Sequence, residues 1–178
     1  MTEHEEPDGR VVPFVRRWHV IHDVDIAPLA ADHARLRDLC TLLEACADAL
    51  PGGVSGSEAD ALGRHLSAVV ASHARDETAV IDALFAGHCD DPLTAAVVER
   101  IRARHLGNAI QADDILAILS GTAKPCAEAF GHMLRGFFDG CRHAMDFTEL
   151  AILTLGSTRL TPDARAVLVG GLCGRAVD

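Results

Sequence analysis

The chain has 178 residues, the size of one domain, with 16 Lys and Arg against 26 Asp and Glu for a formal charge of −10. That balance argues against nucleic-acid backbones and anionic membranes as partners, since both reward a basic face. Six Phe, one Trp and no Tyr leave too few aromatics for a base-stacking surface, whereas ten His stand out.

In chain order, residues 1–24 read as a polar arm and residues 25–178 as one helical domain. Asp25 can cap a first helix with Pro28 in its first turn. Ile26, Leu29, His33, Leu36, Cys40 and Leu43 recur at spacings of three and four, a helical stripe that ends near Leu50, before Pro51-Gly52-Gly53. Ser57-Glu58-Ala59-Asp60 has the form of a capping box opening helix 2. Its stripe is Leu62, Leu66, Val69, His73, Glu77, Val80 and Leu84, closed by Gly87. Asp91-Pro92 opens helix 3, with proline at the first helical position. Its stripe is Val98, Ile101, His105, Ala112, Ile115 and Leu119. Helix 4 runs from about Pro125 to Leu155 along Phe130, Leu134, Phe137, Cys141, Met145 and Ile152. Thr161-Pro162-Asp163 caps a fifth helix that the Gly170-Gly171 pair should end. No strand pattern is present. Long helices joined by short loops predict an all-α fold: an up-down antiparallel four-helix bundle with a short fifth C-terminal helix.

The cysteines at 40, 46, 89, 126, 141 and 173 form no Cys-x-x-Cys pair. They are expected to be reduced and mostly packed as small core residues. Met1 to Arg10 lacks the apolar core of a signal peptide, and no apolar run is long enough to span a bilayer. The expectation is a soluble, cytoplasmic protein. Gly-x-Gly-x-x-Gly, Walker-type and Gly-x-Ser-x-Gly motifs are absent, which leaves nucleotide binding and serine hydrolysis without support.

Four polar residues occupy positions where the stripes call for leucine: His33, His73, Glu77 and His105. Their heights match. His33 lies 17 residues before Leu50, and His73 lies 16 residues after Ser57 and 14 before Gly87. His105 lies 13 after Pro92. In antiparallel helices these counts put three imidazoles at one level, with Glu77 one turn from His73 on the same face. Burying such groups without partners costs on the order of several kcal/mol each. A divalent cation removes that cost by taking neutral imidazole and carboxylate as ligands. The donor set suits Fe, Mn or Zn, and bundle cores are known to hold dinuclear sites.

The segments Asp32-His33-Ala34-Arg35-Leu36, His73-Ala74-Arg75-Asp76-Glu77 and Arg104-His105-Leu106 resemble the hemerythrin-like, or HHE cation-binding, family over residues 25–155. The resemblance implies a non-heme di-iron centre that binds or reacts with dioxygen, peroxide or nitric oxide. It also implies ligand roles for His33, His73, Glu77 and His105, with Glu77 bridging. Helix 4 departs from the family pattern, in which a His is followed four or five residues later by a carboxylate. His143 has the right height but faces away from the apolar stripe unless a π-bulge turns it inward. Glu149 faces the stripe but counts about two turns too far along. Both stand as candidate ligands. The family's second His on helix 3 is missing, since position 109 is Ala; His19 or His22 of the arm could replace it, though both read more simply as arm residues.

Two further readings stay open beside the gas-reactive iron protein. One is a di-iron oxidase or oxygenase acting on a small organic substrate. The other is a metal-degenerate helical module acting through partner surfaces, motivated by the departure on helix 4. Phe130, Phe137 and Phe138 are expected to form the apolar wall that keeps water from the centre.

Overall fold

A computed structural model of the chain describes residues 24–52, 56–85 and 91–175. The arm with His19 and His22, the helix-2 stop at Gly87, and Cys89 lie outside the described residues. Four long helices, α1 (Ala27–Asp48), α2 (Gly56–Phe85), α3 (Pro92–Leu119) and α4 (Ala127–Leu155), are followed by a 3₁₀ turn at Ser157–Arg159 and by α5 (Pro162–Arg175). Each long helix packs on its neighbours in sequence, and α1 closes the ring against α4. The architecture is the up-down bundle that the periodicity predicts, with α5 laid against α4.

Local chemistry sets the boundaries. Asp91 caps α3 by accepting the Thr94 backbone N–H at 2.8 Å and its hydroxyl at 2.6 Å, which relieves a donor with no intrahelical partner. Asp25 accepts the Ala27 N–H at 2.9 Å, although Ile26, one residue later, holds the cap position. Helix α2 starts at Gly56, so Ser57 lies inside its first turn. Thr161 accepts the Ala164 N–H at 3.0 Å at the start of α5. That helix runs through Gly170-Gly171 to Arg175; glycine in a helix costs roughly 1 kcal/mol but does not break it, and the expected stop is not made. The Arg159 guanidinium donates to the Ala83 and Leu84 carbonyls at 2.6 and 3.1 Å, occupying acceptors at the end of α2 that have no intrahelical donor.

The apolar interior forms two clusters. One gathers Leu36 to Ala47 of α1, Leu66 to Val70 of α2, Ala112 and Ile115 of α3, and Phe130 to Met145 of α4. The other gathers Ile26 and Leu29, Ile81 to Phe85, Ile101, Ile152, Leu160 after the 3₁₀ turn, and Ala164 and Leu168 of α5. Burying one such Leu, Ile or Phe side chain contributes roughly 1.5–3 kcal/mol. Along all four long helices the residues between the clusters are polar and buried: Asp32 and His33, His73 and Glu77, Asn108, Thr148 and Glu149. A polar layer thus crosses the bundle at one level. Phe130, Phe137 and Phe138 belong to the first cluster and pack among its aliphatic side chains. None of the described helices is long and apolar enough to cross a membrane.

Candidate metal centre

Glu77 sits at the middle of the polar layer. His33 Nε2 lies 3.1 Å from Glu77 Oε1, His73 Nε2 lies 3.7 Å from Oε2, and His105 Nε2 makes a close contact with the same Oε2. The ring centroids of His33 and His73 are 5.5 Å apart, as are those of His73 and His105. The equal heights counted along the sequence therefore correspond to three adjacent rings around one carboxylate.

Each ring is also held from behind. His33 Nδ1 donates to Glu149 Oε1 at 2.7 Å, and His73 Nδ1 donates to Asp32 Oδ2 at 2.6 Å. Thr78 Oγ1 gives its hydrogen to the Ala74 carbonyl at 2.6 Å. It is therefore left to accept from His105 Nδ1, 3.4 Å away. Glu149 and Asp32 are anchored in turn: Arg37 lies 2.8 Å from Glu149 Oε1 and Arg35 lies 2.9 Å from Asp32 Oδ1. An oxygen behind each Nδ1 fixes the ring and aims Nε2 at the centre, the arrangement that orients metal-ligating histidines.

Electrostatics follow from this packing. Burial raises the Glu77 carboxyl, but hydrogen bonds from His105 and His33 and the charges of His73 and His33 outweigh it and hold Glu77 well below the usual carboxylate range. Burial disfavours a charged His33, yet its hydrogen bonds to Glu149 and Glu77 win, and its pKa is raised above 6.5. Asp32 feels the same competition, and its contact with His73 carries it below 3.8 despite burial. With both His33 nitrogens facing carboxylate oxygens, the hydrogen-bonded form without metal is the imidazolium. A cation on the Nε2 side would replace the protons that now bridge the rings to Glu77.

The donors fit a divalent cation. His33, His73 and Glu77 each offer a ligand atom within 4.8 Å of the others, and all three are buried. His105 adds a third imidazole against the same carboxylate. Three neutral nitrogens and a carboxylate are the borderline set taken by Fe, Mn and Zn.

The two candidates on α4 serve different sides. Glu149 is six residues from the end of α4 and His33 six from the start of α1, so these antiparallel neighbours meet at one level. A count carried only through the α3–α4 loop misses that match. Glu149 reaches Nδ1 of His33, behind the ring. His143 is exposed and lines a cavity of about 640 Å³ that opens between α3 and α4 and extends to His73, Glu77 and His105. Helix α4 is regular through this stretch, without a π-bulge. Sequence reasoning gave no role to Asp32, Thr78, Arg37 or Asn108. Asp32 was readable as an acid beside His33 on the helix face that also carries Leu29 and Leu36. The others carry no motif.

The family model described as the hemerythrin HHE cation-binding domain matches residues 24–155. This span covers all four long helices and the polar layer, and the chain belongs to that family of metal-binding helical bundles. Comparison with curated proteins and with solved structures found no match to either.

Proposed function

We propose that the chain is a non-heme iron protein whose buried centre is held by His33, His73, Glu77 and His105 and reacts with a small oxidant. The observation that supports it is the convergence of three imidazole Nε2 atoms on Glu77, each ring held at Nδ1 by Glu149, Asp32 or Thr78. Bound iron, two ions in the family's usual form, would supply reversible binding or reduction of dioxygen, peroxide or nitric oxide; Mn or Zn could occupy the same donors. Asp32 and Glu149 keep His73 and His33 in the tautomer that leaves Nε2 for the cation. Glu77 turns one oxygen toward His33 and the other toward His73 and His105, and would hold the cation with them. The apolar clusters on either side exclude water along the bundle axis, which leaves the α3–α4 cavity as the approach among the described residues.

Elemental analysis and optical spectroscopy test this. Protein loaded anaerobically with Fe(II) and then exposed to air should retain iron and gain ligand-to-metal charge-transfer absorption. The variant His73→Ala should lose most of its iron while staying helical. A colourless product without iron or manganese after expression in metal-rich medium would defeat the reading, and so would unchanged iron in His73→Ala.

A further inference from the structure

The approach to the centre is chemically unlike the rest of the molecule. In a chain of charge −10, the cavity between α3 and α4 is lined by Arg100, Arg104 and His143, and among the described residues its only carboxylate is Glu77, already committed to the three histidines. Arg104 is half-buried and makes no hydrogen bond or ion pair among the described residues, unlike Arg35, Arg37, Arg102 and Arg142, which all face carboxylates. Arg100 lies over the Phe147 ring, 5.3 Å from its centroid, and is likewise without a carboxylate. Asn108 lines the same cavity and is 3% exposed, and among the described residues its Oδ1 is buried without a hydrogen-bond partner. An unpaired buried carbonyl costs about 1–3 kcal/mol, so it marks a place where a partner is missing.

The backbone of α4 makes room for this arrangement. A Cβ at Gly140 would overlap the Arg104 guanidinium. Glycine inside an α-helix is unfavourable by roughly 1 kcal/mol against alanine, and here it lets one amino end of the guanidinium reach the α4 backbone at the cavity wall. Ile101 and Phe147 supply apolar surface beside it. About 640 Å³ is far more than a diatomic gas needs and falls in the range of organic-ligand pockets.

We infer that this cavity binds a small organic acid, with its carboxylate on the Arg104 guanidinium, its apolar body against Ile101 and Phe147, and a donor group of the ligand on Asn108 Oδ1. Arg104 offers the planar fork that matches a carboxylate bidentately, Arg100 adds attraction at the mouth, and the unpaired Asn108 carbonyl selects an acid that also carries a hydroxyl or amide hydrogen. The bound acid would lie between solvent and the polar layer. The inference rests on the metal-centre reading only for what that placement would serve; the binding itself needs no metal.

The test uses the whole chain, both metal-free and iron-loaded, titrated with benzoate, 4-hydroxybenzoate, hexanoate and the neutral control benzamide, followed by calorimetry and by backbone amide NMR shifts in the metal-free form. At least one acid should bind the metal-free protein and shift amides of α3 and α4 around Arg104, Asn108 and Phe147, while benzamide should not. Arg104→Gln should weaken that acid about tenfold or more, the loss expected for a charge-assisted bidentate contact. Gly140→Ala, which displaces the guanidinium but keeps the charge, should weaken it in the same direction with helical content unchanged. Iron content should stay at the wild-type level in both variants. Silence from all three acids overturns the inference, as does equal binding to Arg104→Gln. Acid binding seen only in iron-loaded protein would also overturn it, because that is an anion ligating the metal. Failure of the metal reading would appear separately, as absent iron in the wild-type chain.

Discussion

The two sides of the polar layer are built on opposite principles. On the α1 side His33 is fully buried, Glu149 and Asp32 are buried behind His33 and His73, and Arg37 and Arg35 hold those acids. Every polar group there has a charged partner. On the α3 side the His105 side chain is 11% exposed, its Nδ1 faces only a neutral hydroxyl at 3.4 Å, Asn108 has an unpaired carbonyl, and the wall opens into a cavity. One side is closed by charge pairs and the other is open. Rigidity comes from charge pairs in a dry interior, where such bonds are strong; access requires that some groups be left without them.

This contrast can be broken by substitution. Glu149→Gln and Asp32→Asn remove the charged acceptors behind His33 and His73 with little change of shape. Each should weaken metal binding about 10–100-fold, the usual effect of losing such an orienting carboxylate. Competition against a chelator of known affinity measures it, and an unchanged constant in both would show that the closed side does not orient the ligands. Thr78→Val, the matching change on the open side, should cost less than about tenfold in the same assay, because the hydroxyl is neutral and distant.

Acidity sharpens the same comparison. In the metal-free chain His33 has a raised pKa, so the stability it contributes is complete below pH 6.5 and is lost as pH climbs through its folded-state value. Glu77 and Asp32 have lowered values, so their contributions are complete above pH 4.5 and 3.8 and vanish as pH drops through their folded-state values. Thermal melts should show a plateau between pH 4.5 and 6.5 with losses on both flanks. Metal should abolish the alkaline loss, because it binds the neutral rings. An alkaline flank unchanged by metal would separate these histidines from the ligand set. The smallest effect is that of Asn108→Leu. Removing the unpaired carbonyl should raise the metal-free melting point by a few degrees, about 1 kcal/mol, with metal affinity unchanged.

Much of this was readable from the sequence because the bundle is periodic. Spacings of three and four gave the helices, and the same stripes exposed His33, His73, Glu77 and His105 as polar intruders whose counts from the helix ends agreed. The orienting groups were harder to see. Asp32 and Thr78 act through side-chain reach across helices, which periodicity does not encode. Glu149 was placed too deep because its level was counted through the α3–α4 loop, whereas its partner lies on α1. The run of α5 through Gly170-Gly171 shows the same limit: a glycine pair permits a stop without imposing one. The place of the Arg104 guanidinium depends on Gly140 leaving space for it, a relation between two helices that no single stripe contains.

The polar layer has a mechanical consequence. It cuts the oily interior into two droplets, one around Phe137 and one around Ile81 and α5, which the described residues do not join. A cation held by the proposed ligands on α1, α2 and α3 would act as a rivet through that cut. Amide hydrogen exchange should then separate into two blocks of unequal protection in the stripped chain and merge toward one when the rivet is in place.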